Sequence, residues 1–277
     1  MSLYITSLNS GSNANCYYIG NSEDAVLIDA GLSCRETEKR MKLLGLSMNK
    51  VKALFISHEH TDHINGVEGI SKKYQLPVYI TESTFKNSYL SVATDLRRSF
   101  QHNNNIALGD LSVIAFRKSH DAMDPHSFMI SSGGINIGII TDIGYACEEV
   151  INCFSKCHAA FLESNYCEDM LANGNYPYHL KKRIAGREGH LSNTQALELF
   201  TKYRSKNLQL LILSHLSKNN NTAEKVAALF QPHKGNTQIV VASRYEPTAL
   251  FCIENLAPVL SYAKKRVEKN KDQLSLF

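Results

Sequence analysis

The stretch "LFISHEHTDHINGVEG" (residues 54–69) constrains this chain more than any other. An apolar run that reads as a buried strand ends in four side chains able to bind metal: His58, His60, Asp62 and His63. In an extended segment alternate residues face one way, so His58 and His60 can share an ion. If the chain then turns into a helix beginning near Ile64, Asp62 and His63 face a second ion nearby. Imidazole and carboxylate together suit Zn²⁺, with Mn²⁺ or Fe²⁺ as alternatives. A polar turn whose histidines only cap the next helix is a poor reading of four such groups at this spacing.

Further candidates stand at the ends of later apolar runs. These are His120 after "VIAFRKS", Asp142 after "INIGIIT" and His215 after "LQLLILS". Singly, each is more often a cap or a surface residue. Three in a row, at strand ends where loops deliver chemistry, point to one site.

The runs themselves set the fold class. "AVLIDAG" (25–31), "VKALFIS" (51–57), "LPVYIT" (76–81), "AAFLES" (159–164) and "TQIVVAS" (237–243) are continuous rather than alternating, as in sheets covered on both faces. "SSGGI" reads as a hairpin turn. Helical patterns fall at 34–44, 66–74, 147–154, 194–203 and 222–230, with Asn193 and Thr194 as a helix start. Strands crowd early and alternate with helices later, which implies two sheets between helices in one α/β domain. With 277 residues, 43% hydrophobic and 20% charged, the chain has enough apolar material for that core. Seven irregularly spaced cysteines without a CxxC pair read as reduced thiols in a cytoplasmic chain. The N-terminus does not read as a secretory signal, and no run reaches the length of a membrane span.

With its isolated His, Asp and His downstream, "HEHTDH" resembles the metallo-β-lactamase superfamily of binuclear hydrolases. The likeness extends from "LIDAG", where Asp29 matches the family's first motif, to His215. It implies a four-layer αββα sandwich with two divalent ions, Zn²⁺ or Mn²⁺, at the sheet edge. By that pattern His58, His60 and His120 hold one ion, Asp62, His63 and His215 the other, and Asp142 bridges both. Asp62 also orients the attacking water. His190 in "GHLSN" and Glu163 in "FLESN" resemble the phosphodiesterase branch, in which such a histidine faces the scissile phosphate and such a glutamate orients it.

A narrower resemblance adds "SLNSGSNANCYYI", "SHDAMDP" and "LSHLSKNNN". Together with the motifs above, these are similar to the WalJ/YycJ-type exonucleases. That likeness implies 5′ to 3′ degradation of double-stranded DNA in mismatch repair. A small-molecule cyclic phosphodiesterase or an RNA-end nuclease is the alternative within the superfamily, and a non-catalytic metal-binding regulator fits less well. The polar loop side chains Asn9, Ser10, Ser12, Asn13 and Asn15 are candidate phosphate donors. The net charge of +4 fits an anionic partner, but basic residues read as spread over the chain rather than striped on one element.

The chain ends in "KKRVEKNKDQLSLF". Residues 1–260 read as the catalytic domain and 261–277 as a basic tail. Gln273, Leu274, Ser275, Leu276 and Phe277 resemble the peptide by which bacterial DNA-processing enzymes dock on the replication sliding clamp. The five Lys and Arg residues before them (Lys264, Lys265, Arg266, Lys269 and Lys271) supply a solvated tether.

Overall fold

A computed structural model describes residues 2–255. The tail from residue 261, with its clamp-like peptide, lies outside the described residues. The first sheet holds β1 (Ser2–Asn9), β2 (Cys16–Gly20), β3 (Ala25–Ile28), β4 (Val51–Phe55), β5 (Val78–Tyr79) and β6 (Arg97–Arg98). The second holds β7 (Asn105–Leu108), β8 (Leu111–Arg117), β9 (His126–Ser132), β10 (Ile135–Ile140), β11 (Ala159–Glu163), β12 (Leu210–Ser214) and β13 (Gln238–Val241). The chain then returns to the first sheet, where β14 (Phe251–Glu254) pairs with β1. The strand orders are β14-β1-β2-β3-β4-β5-β6 and β13-β12-β11-β10-β9-β8-β7.

The continuous apolar strands follow from burial on both faces. Leu3, Ile5, Tyr17, Phe55, Phe128 and Phe161 pack between the sheets. Their chain neighbours face outward: Tyr18 and Leu54 join Met41 of α1 (Cys34–Leu43) and Val67 and Ile70 of α3 (Val67–Tyr74). On the other side Leu162 and Leu211 meet Phe154 of α5 (Glu148–Phe154), Phe200 of α8 (Asn193–Tyr203) and Phe230 of α9 (Ala223–Phe230). Helix, sheet, sheet and helix form four layers: the αββα sandwich expected from the sequence.

The expected hairpin turn has Gly133 at φ 56° and Gly134 at φ 81°, a pair of left-handed residues that the right-handed twist of β9 and β10 favours. One local expectation is corrected. The short helix α2 (Thr61–Ile64) begins with His60 as its N-cap, so Asp62 and His63 lie within its first turn rather than ahead of a helix at Ile64. Helix α8 begins at Asn193, where the sequence places a helix start, and is capped by Ser192, whose side chain accepts from Gln195 N while the Gln195 side chain reaches back to the Ser192 backbone. The sequence reading did not include α4 (Glu82–Asn87), α6 (Glu168–Asn173) or α7 (Tyr178–Ile184). These helices have six, six and seven residues, too few turns for a clear 3.6-residue period.

All seven cysteines are free. Among the described residues no helix is long and apolar enough to cross a membrane.

Candidate metal centre

Parallel pairing puts strand ends side by side. Strands β10, β11 and β12 run parallel, with Ile140 opposite Leu162 and Glu163 opposite Ser214. Asp142, Glu163 and His215 therefore emerge at one sheet edge. The parallel pair β3 and β4 brings Asp29 and Ser57 together across the cleft: Ser57 donates its backbone N–H and its hydroxyl to Asp29, both at 2.8 Å.

All seven predicted ligands converge at this edge. Ligand atoms lie within 4.8 Å of one another in His58, His60 and His120, in Asp62, His63 and His215, and in His58, His63 and Asp142. Glu163 and His190 form a fourth such group with Asp142 and His215. Three positions are backbone outliers, with φ of 59° at Asp29, 55° at Asp142 and 57° at His215. Left-handed non-glycine residues persist only where their surroundings over-determine them, which is common at functional sites.

The imidazoles are held from behind. His63 donates Nδ1–H to Asp29 Oδ2 at 2.7 Å, and His58 donates Nδ1–H to the Ser57 hydroxyl at 2.8 Å. His120 donates Nδ1–H to the Gly189 carbonyl at 3.1 Å, and His215 donates Nδ1–H to Glu163 Oε1 at 3.0 Å. In the neutral imidazole each of these bonds fixes the tautomer that leaves Nε2 as the inward acceptor. His63 Nε2 and His215 Nε2 then stand 3.4 Å from the two oxygens of Asp142.

His120 Nε2, His215 Nε2 and Asp142 Oδ2 are buried without a hydrogen-bond partner. Buried polar atoms are seldom left so, and a ring of imidazole nitrogens around carboxylates is a donor set for Zn²⁺ or Mn²⁺. The residues present thus fit divalent cations.

Protonation in the ion-free ring is divided. Burial disfavours charge on every member. Against it, Asp142, Asp62 and Glu163 raise the pKa of His215 to about 10, and Asp142 and Asp29 hold that of His63 well above the usual range. Burial wins at His58, held well below the usual imidazole range, and at His120, held at about 3. Asp62 resists burial through the charge of His63 and the nearness of His215 Nε2, 3.6 Å from its Oδ2, and ionises at about 2.

Behind the ring, Glu163 is fully buried. Its Oε1 accepts from His190 Nδ1–H at 2.9 Å and its Oε2 from the backbone N–H of Ile143 and Leu191, at 2.8 and 3.1 Å. Burial opposes its ionisation, but the His190 charge and these imidazole bonds lower its pKa to about 2. With Nδ1 committed, His190 is left with Nε2 for substrate.

The family model of a beta-lactamase superfamily domain matches residues 24–216. The chain belongs to the metallo-β-lactamase superfamily. It is 34% identical over 227 residues to exodeoxyribonuclease YycJ of Bacillus anthracis, covering 81% of this chain and 86% of that protein. To exodeoxyribonuclease WalJ of Streptococcus pneumoniae it is 30% identical over 222 residues, covering 78% and 82%. The chain therefore belongs to the family of these exodeoxyribonucleases. The metallo-β-lactamase fold protein YhfI from Bacillus subtilis superposes with a TM-score of 0.69 at 15% identity, covering 90% of this chain and 99% of that one, which shows the shared fold.

Some supporting residues were misread or missed in the sequence. Of the polar loop, Asn9 donates to the Ala14 carbonyl and Asn15 donates to Asp62 Oδ2 at 3.1 Å, so both are committed internally. Ser10 is buried too, its hydroxyl accepting from His215 N at 2.8 Å. Only Ser12 and Asn13 of the five are exposed. Lys118, outside the sequence-derived site, is buried and donates to the Thr141 carbonyl at 2.9 Å, immediately before Asp142. A lysine just after an apolar strand and two residues before a candidate ligand is the available signal.

Proposed function

We propose that this member of the exodeoxyribonuclease family hydrolyses phosphodiester bonds from the 5′ end of double-stranded DNA, in mismatch repair. The observation that carries the chemistry is the convergence of seven imidazole and carboxylate side chains beside a carboxylate-oriented histidine. In this reading His58, His60 and His120 hold one divalent cation, Asp62, His63 and His215 hold the other, and Asp142 serves both. Zn²⁺ and Mn²⁺ are the candidates. Such ions, when bound, supply hydroxide near neutral pH and positive charge for phosphate oxygens.

The protein's own groups do the rest. Asp62, fixed by Asn15, orients the attacking water as well as serving as a ligand. The αL backbone at Asp142 and His215 holds both side chains toward the same point. His190 places Nε2 against the scissile phosphate and delivers a proton to the departing alkoxide. Glu163 keeps that imidazole in the required tautomer and stabilises its charged form.

Exonuclease relatives support DNA as substrate. The tail, Gln273 to Phe277, is proposed to dock on the replication sliding clamp, with the lysine-rich stretch before it as tether and residues 1–260 as the catalytic domain. A cytoplasmic location belongs to the same reading. Deleting residues 273–277 should abolish capture by purified clamp; unchanged capture would remove that part.

The deciding assay is end-labelled 5′-phosphorylated duplex DNA with Mn²⁺ or Zn²⁺, compared with single-stranded DNA and RNA. Stepwise loss from the 5′ end of the duplex, absent in Asp62→Ala, is expected. Equal processing of RNA would favour the RNA-end nuclease alternative.

A further inference from the structure

Helix α7 (Tyr178–Ile184) buries no side chain, yet it is built into the wall of the site. The Ile184 carbonyl accepts from His190 N at 2.8 Å. A Cβ on Gly189 would overlap the carbonyl oxygens of Arg183 and Ile184, and a Cβ on Gly144 would overlap that of Arg187. Only glycine lets these backbones approach so closely. The Ser119 hydroxyl donates to the Arg187 carbonyl at 2.7 Å, and Asp121 N donates to that of Glu188 at 2.9 Å. The segment from α7 to His190 is thus sewn to the loops carrying His120 and Asp142.

This helix presents the concentrated positive charge that the sequence reading took to be scattered. Lys181, Lys182 and Arg183 are consecutive, and Arg187 follows one turn on. Lys181 is tied to the Ala172 carbonyl at 2.6 Å and only partly exposed, while Lys182, Arg183 and Arg187 are exposed. Arg187 lies over the ring of Tyr145, 4.8 Å from its centroid, and Arg183 pairs with Asp121 at 2.5 Å. Between α7 and Tyr145 runs a cleft of about 530 Å³, lined also by Ser119 and Glu188. A helix with no core contribution, rigidly fixed beside the site and basic on its outer face, has the character of a phosphate-binding ridge.

We propose that Lys182, Arg183 and Arg187 form a track that binds the DNA backbone as it leaves the metal centre past His190. Arg187, held over the Tyr145 ring, gives a guanidinium that meets a phosphate at reduced entropic cost. This deepens the exonuclease reading and rests on it for the identity of the polyanion. The contacts are sequence-independent, so they set affinity and register rather than base preference.

The test is binding of a short fluorescent duplex, with phosphorothioate ends to block turnover, by the Mn²⁺-loaded full chain across a salt series. The first variant is Lys182→Ala with Arg187→Ala, which leaves the Arg183–Asp121 pair intact. A second adds Arg183→Ala. The double variant should lose roughly tenfold or more in affinity, and its log–log salt slope should become shallower by about 2. Its turnover of bis(p-nitrophenyl) phosphate, too small to reach the track, should match wild type. Unchanged affinity and slope would overturn the proposal. So would a parallel loss of small-diester turnover, because these side chains would then be serving the metal centre itself. Wild type that binds duplex through these groups but releases no nucleotides from the same duplex with unmodified ends would support the track and refute the exonuclease reading.

Discussion

His190 Nδ1 lies 2.9 Å from Glu163 Oε1, and the same oxygen accepts from His215 Nδ1 at 3.0 Å. One buried carboxylate thus orients a proposed proton donor and a proposed metal ligand together. The two roles separate on mutation. His190→Ala should lower kcat by about a hundred- to ten-thousandfold while bound metal is unchanged. Glu163→Gln should lower both activity and metal affinity, by roughly ten- to a hundredfold. A thymidine p-nitrophenyl phosphate, whose leaving group needs no proton, should recover most of the His190→Ala loss. An equal loss on that substrate would contradict the proton-donor role.

Asp29 carries no proposed metal contact but takes three hydrogen bonds, from His63 Nδ1, Ser57 N and Ser57 Oγ. Asp29→Ala should weaken metal binding by about ten- to a hundredfold, measured by competition with a chromophoric chelator. The cause is loss of the His63 tautomer and of the Ser57 hydroxyl that positions His58. Unaltered affinity would show that packing alone orients these rings.

The ion-free protein should be less stable in mild alkali. Burial opposes charge on His215, but its carboxylate neighbours raise the folded pKa to about 10, and His63 is raised in the same sense. A group raised on folding contributes stability that is complete below its unfolded pKa, about 6.5 for histidine. That contribution declines as pH rises from there and is gone above the folded pKa of about 10. Chelator-treated protein should therefore melt at progressively lower temperature from neutral pH upward. Cation binding needs neutral imidazoles, so it should release roughly two protons at pH 7, read by calorimetry in buffers of different ionisation enthalpy. Binding without proton release would contradict this charge assignment.

Gly31 tests the backbone lock. Asn15 N donates to the Asp62 carbonyl at 2.7 Å, and Gly31 N donates to the Asn15 carbonyl at 2.9 Å. A Cβ on Gly31 would overlap that Asp62 oxygen. Gly31→Ala should displace Asp62 and cut activity about a hundredfold, the scale of a 1 Å misplacement. Overpacking should cost about 1–3 kcal/mol in thermal or denaturant unfolding. Full activity would mean the loop yields without moving its ligand.

Much of this was legible because of where residues lie relative to strands. A ligand placed just after an apolar run, as His58, Asp142 and His215 are, lands on the sheet edge whatever the loops do. Continuous runs such as "LQLLILS" disclosed two-sided burial and hence layers. What escaped reading depends on contacts distant in the chain. Asn15 meets Asp62 across 47 residues, and α7 meets the His120 loop across the Arg183–Asp121 separation of 62. Neither a polar loop nor a short basic helix announces which partner it will find. The run Lys181 to Arg183 acquires meaning only once Gly189 and Gly144 allow its backbone to close on the site.

The most direct measurement is anomalous diffraction at the manganese or zinc absorption edge from crystals of the loaded protein. Two peaks should appear, one among His58, His60 and His120 and one among Asp62, His63 and His215, with Asp142 reaching both. No peak there, or a single peak with either histidine set turned away, would contradict the two-cation centre.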